Sequence, residues 1–226
     1  MRLSKHTPLL FVAILFLVSS CFEIQEKVFL RKDGTGTFSL VIDMSQMKEM
    51  MAMMGASADD MEDDPFADME EDFESEKSEL EAIPGVSNAR VIKDTESYRV
   101  GLSFDFDDID ALNAGVNKVF EDDEKGPTNN RYYNYRRGKF ERTSFFDQAE
   151  DVKDEMASGG DEELGFDPSV LFADMNYTTV FEFEDKVDHM SNEHAMISAD
   201  GKTVTFKYYF FKPEYEGRSV ANTIEF

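Results

Sequence analysis

Tyr98, Val100, Leu102, Phe104 and Phe106 place an apolar side chain at every second position. That two-residue period belongs to a strand with one buried face, so the chain must build a sheet and cover one side of it. The same signal recurs along the sequence. Phe22, Ile24, Val28 and Leu30 are followed by a turn at Asp33-Gly34-Thr35-Gly36, and Phe38, Leu40 and Ile42 alternate after it. Residues 22–43 therefore predict a β-hairpin. Residues 88–93 predict a short strand, and residues 131–145 a second hairpin with Arg137-Gly138 near its turn. Phe181 and Phe183 share one strand, Asp200-Gly201-Lys202 is a hairpin turn, and Val204, Phe206, Tyr208 and Phe210 alternate beyond it. Val220 to Phe226 is expected to close the sheet.

Helical spacing separates these strands. Met44, Met47, Met50, Met51 and Met54 recur three and four residues apart and would share one helix face, with Gly55 as the stop. From Phe66, the apolar residues Met69, Phe73, Leu80 and Ile83 predict a helix ended by Pro84-Gly85. Asp107 or Asp108 caps a further helix whose apolar face is Ile109, Leu112, Val116, Val119 and Phe120. The expected class is α+β: antiparallel sheet built from hairpins, with two or three helices packed on one face, preceded by a signal peptide. The division follows: 1–20 a signal peptide, 21–145 an N-terminal part, 146–166 an acidic linker or loop, and 167–226 a β-rich part packed with the first as one domain.

The first residues argue for export. Arg2 and Lys5 precede an unbroken apolar run from Leu9 to Val18, the length of a signal-peptide core and short for a membrane span. Val18-Ser19-Ser20-Cys21 follows, and Cys21 is the only cysteine among 226 residues. No intramolecular disulfide can form, so an exported domain must rely on its core. The 41% apolar content, with 21 Phe, supplies one.

Charge, apolar run, small residues and cysteine in that order resemble the bacterial lipobox. The resemblance implies cleavage after Ser20 and acylation of Cys21, with the domain held at a cell membrane or outer membrane outside the cytoplasm. Phe22, not Asp, follows the cysteine, and by resemblance to Gram-negative sorting rules that allows passage to the outer membrane without deciding between the two membranes. The whole chain also loosely resembles Gram-negative lipoproteins in which a β-hairpin directly follows the cysteine, a Met-rich segment comes next, and a Ser-Ala-Asp-Gly-Lys-Thr-Val-Thr hairpin stands near the end. Here those parts are residues 22–43, 44–54 and 198–205. No activity comes with that likeness.

Composition narrows the partners. Residues 1–20 hold two basic residues and no acid, leaving 21 basic and 48 acidic residues from Cys21 onward, a net charge of −27. So acidic a surface repels nucleic acid. The basic cluster of Arg131, Arg136, Arg137, Lys139 and Arg142, interleaved with Tyr132, Tyr133, Tyr135 and Phe140, is read first as an exposed hairpin that pairs with acidic surroundings. Its functional reading is contact with an acidic partner or a lipid headgroup. The methionines are read first as an adaptable packing face, then as a partner surface, then as soft ligands for Cu(I). The acids of residues 59–72 match no calcium loop and are expected to be solvated.

Catalytic patterns are missing. His189 and His194 lack a third ligand, and no nucleophile elbow, phosphate loop or dinucleotide fingerprint occurs. The expected function is that of a membrane-anchored, non-enzymatic envelope protein that needs no cofactor and binds another envelope component. A Met-based copper handler and an envelope hydrolase acting through unidentified carboxylates are the alternatives.

Overall fold

A computed structural model describes residues 22–46, 48, 67–121, 129–143 and 173–226. The signal peptide, Cys21, most of the Met-rich segment and the 146–166 stretch lie outside these residues. The α-helices that lie wholly among them are α1 (Ala67–Leu80) and α2 (Ile109–Val119), and Ser45, Gln46 and Lys48 are helical too. The strands are β1 (Glu23–Leu30), β2 (Gly36–Asp43), β3 (Val86–Asp94), β4 (Arg99–Phe106), β5 (Tyr133–Arg136), β6 (Lys139–Arg142), β7 (Asn176–Phe183), β8 (His189–Met190), β9 (Met196–Ile197), β10 (Thr203–Tyr209) and β11 (Asn222–Glu225).

Seven strands form one sheet in the order β3-β4-β2-β1-β7-β10-β9, and four form a smaller one in the order β5-β6-β11-β8. The fold is α+β, as the alternation of strands and helices predicts. One joint in the large sheet is parallel: β1 runs alongside β7, with Ile24 opposite Tyr177 and Val28 opposite Phe181. The other pairings are antiparallel. Residues from both ends of the sequence therefore share one continuous sheet. Val220–Phe226 does not close that sheet. Its strand, β11, lies inside the small sheet between β6 and β8. Its short pattern carried no information on which edge it would meet.

Cross-strand register lines up the inner face in rows. Phe104, Phe38, Val28, Phe181 and Val204 form one, and each is buried. Helices α1 and α2 cover this face at the β3–β4 side. The small sheet covers it near β7, where Phe140 meets Phe181 and Phe183 edge-on at 5.2 and 5.6 Å. Each such ring is worth roughly 1.5–3 kcal/mol of burial. Gly115 lets α2 approach closely, since a Cβ there would come within 2.5 Å of the Phe104 ring. Asp108 caps α2 by accepting a hydrogen bond from the Ala111 amide at 2.8 Å.

Two buried asparagines tie α2 to the chain entering β5. The Asn113 carboxamide oxygen accepts from the amides of Tyr132 (2.7 Å) and Tyr133 (2.9 Å), while its nitrogen donates to the Tyr133 and Ile109 carbonyls. One turn on, Asn117 does the same for Asn130. These side chains act as a substitute strand partner for an edge that would otherwise be unpaired.

Candidate functional site

Inward-facing positions of β1 are Ile24, Glu26, Val28 and Leu30, so the strand pattern places an acid inside the core. On β6, Phe140 and Arg142 point inward in the same way. The two charges meet: the Arg142 Nε and Nη2 donate to the two Glu26 oxygens at 2.9 and 2.7 Å. Both residues are 0% exposed. The Tyr177 hydroxyl donates to Glu26 Oε2 at 2.5 Å, and Arg142 Nη1 donates to the Thr143 carbonyl at 3.2 Å. The guanidinium lies over the rings of Tyr132 and Tyr133 at 5.3 and 5.1 Å. The Tyr133 hydroxyl faces the same carboxylate without a hydrogen bond of ordinary geometry.

Burial by itself would raise the Glu26 carboxyl, but the charge and hydrogen bonds of Arg142 override it and hold the group below its ordinary value. Burial and the Glu26 charge push the Tyr133 and Tyr177 hydroxyls well above theirs. A depressed carboxyl contributes stability that is full above its unfolded value, near 4.5, and is lost as pH falls through the folded value. A raised phenol contributes stability that is full below about pH 10 and is lost as pH rises through the folded value. The thermal midpoint is therefore expected to hold level from about pH 5 to about pH 9 and to fall on both sides. In Glu26→Leu/Arg142→Met the acid limb should become shallower, and an unchanged limb would show that Glu26 is not depressed. Both charged side chains are fully withdrawn from the surface. The cluster's chemistry is that of a clamp between the two sheets.

The structure divides the basic cluster. Arg142 is not a surface group, because its position on β6 is an inward one. Arg131 bonds Asp110 and Asn134 at 3.0 and 2.6 Å, and Lys139 lies 3.7 Å from Glu225. Arg136 and Arg137 are exposed and form no ion pair among the described residues. They sit at the β5–β6 turn, where Arg137 and Gly138 have φ of 54° and 75°, a two-residue turn that aligns the strands. The Tyr135 hydroxyl donates to the Lys32 carbonyl at 3.0 Å, which sets this tip beside the β1–β2 turn. That is the opposite end of the large sheet from Phe22, roughly 25 Å away along the eight residues of β1.

Met44 is buried at the end of β2, and its amide donates to the Tyr98 carbonyl. Met47, Met50, Met51, Met53 and Met54 lie outside the described residues, as do Val18, Ser19, Ser20, Cys21 and the acids 59–64. His189 and His194 are both exposed, on β8 and in the following loop. No group of three or more His, Cys, Asp or Glu is placed to hold a metal among the described residues, and no described helix is long and apolar enough to cross a membrane. Sequence patterns missed the Glu26–Arg142 pair. The signal that could have found it was a charge at an inward position of each alternation.

Fold and sites define an α+β domain with a mixed sheet, a sealed ion pair and an exposed basic turn. No protein-family model and no curated protein matches the chain. Among solved structures, the chain is similar to the folded domain of LppM from Mycobacterium tuberculosis, determined by NMR, at 10% identity and a TM-score of 0.36 over 91% of this chain and 89% of that one. Likeness at that level carries nothing about function.

Proposed function

We propose that the chain is a lipid-anchored, non-enzymatic binding protein of the cell envelope, fixed to its membrane through Cys21 and holding the β5–β6 turn toward an acidic partner. The observation that carries this reading is the placement of Arg136 and Arg137, exposed and without ion pairs among the described residues, at the end of the sheet remote from Phe22. An anchor at Cys21 directs that end away from the bilayer, which favours a protein surface over a lipid headgroup as the contact of this turn.

Crosslinking in native membranes tests the proposal. The expected result is that Cys21→Ala moves the protein to the soluble fraction, and that Arg136→Glu/Arg137→Glu removes crosslinked species while leaving the protein in the membrane. An unchanged crosslinking pattern in the charge-reversal variant would overturn the binding reading. An unmodified Cys21 thiol in the intact mass of the native protein would overturn the anchor.

A further inference from the structure

We propose that the domain lies directly on the bilayer that carries its anchor, through an aromatic and cationic corner formed by Tyr209, Tyr215, Lys207, Lys212 and Arg218. The inference deepens the reading of Cys21 as a lipidated residue and rests on it. Its force comes from the absence of a tether. The Phe22 carbonyl already accepts a hydrogen bond from the Asn176 amide at 3.1 Å, and β1 begins at Glu23. Consecutive Cα atoms are about 3.8 Å apart, and the headgroup layer on each side of a bilayer is roughly 5–8 Å thick. Acyl chains on Cys21 would therefore draw whatever surrounds Phe22 into the headgroup layer.

The surroundings have the right chemistry. Glu23 is opposite Asn176, and Asn176 is opposite Tyr209, so the end of β10 stands beside the start of β1 with β7 between. Lys207 bonds Glu23 at 3.0 Å, and Lys212 bonds Asp174 at 2.6 Å, so these two acids are each paired with a lysine. Lys212 lies 3.9 Å from the centre of the Tyr209 ring, Tyr209 and Tyr215 meet edge-on at 4.9 Å, and Arg218 lies 4.3 Å from the centre of the Tyr215 ring. Both tyrosines are half-buried. Rings with an apolar body and a polar tip, flanked by long cationic stems, are the side chains that settle at a membrane interface. Glu214 and Glu216 flank Tyr215 on the exposed side. Insertion of the rings, rather than net positive charge, must therefore hold this corner down.

The chain contains no Trp, so one introduced residue reports alone. Lipidated full-length Tyr215→Trp, and separately Tyr209→Trp, would be reconstituted into phosphatidylethanolamine–phosphatidylglycerol vesicles with dibrominated acyl chains. Lys202→Trp, in the exposed turn before β10 and so roughly 23 Å from Tyr209 along that seven-residue strand, serves as the remote reporter. The expected result is a blue shift and loss of most emission at 215 and 209, with emission at 202 unchanged. Equal quenching at all three positions, or none at 215 and 209 with acylated Cys21 verified by intact mass, would overturn the docking and leave the anchor standing. An unmodified Cys21 would remove both.

Discussion

Glu26→Leu alone, or Arg142→Met alone, is expected to cost about 3–5 kcal/mol of folding stability, whereas the two together should cost far less than their sum. Each single change leaves one full charge in a site with 0% exposure. Arg142 would lose its carboxylate partner and keep neutral groups such as the Thr143 carbonyl and the faces of Tyr132 and Tyr133, and Glu26 would keep neutral hydroxyls such as that of Tyr177. Exchanging both for apolar side chains of similar volume removes the desolvation cost along with the attraction, an exchange that in buried pairs is often neutral or stabilising. Domains of this size hold about 5–15 kcal/mol in all, so either single variant should unfold at much lower urea, and the double variant near the native midpoint. A double-mutant cycle from urea denaturation measures the coupling. Single variants that each lose less than about 1 kcal/mol would show that water reaches the pair.

Asn113→Ala is expected to cost about 2–4 kcal/mol and to loosen β5 in particular. Its carboxamide satisfies the amides of both Tyr132 and Tyr133 and the carbonyl of Tyr133, and nothing in an alanine replaces those bonds. Each buried backbone group left unpaired costs about 1–3 kcal/mol, reduced where the segment relaxes to admit water. Because β5 pairs with β6, and β6 carries Arg142, the loss should reach the ion pair as well. Hydrogen exchange locates the effect. Amides of Tyr132 and Tyr133 should lose protection well before those of β4, and uniform loss across both sheets would contradict a local role for Asn113.

The two variants mark the boundary of what could be read from the chain. Short-range features were legible. Val100, Leu102, Phe104 and Phe106 alternate because successive side chains of a pleated strand point to opposite faces, and they line the core face of β4. Asp108 caps α2 and Leu112, Val116 and Val119 line its buried face, because helical geometry brings those spacings together within a few residues. Arg137-Gly138 and Asp200-Gly201 mark turns for the same local reason: a backbone needs positive φ there.

Pairing between distant segments was not legible. Glu26 and Arg142 are 116 positions apart, and nothing near either residue names the other. Arg142 shares the alternation of Phe140 and so its inward position, but that Glu26 is its partner emerges only once the small sheet packs on the large one and Phe140 meets Phe181 and Phe183. In the same way the parallel pairing of β1 with β7, and the placement of β11 in the small sheet, depend on which edges are left once the hairpins have formed. Residues a few positions apart set local conformation and face, because backbone geometry couples them directly. Partners are chosen by burial of surfaces that the chain brings together only on folding, and that choice belongs to the tertiary structure alone.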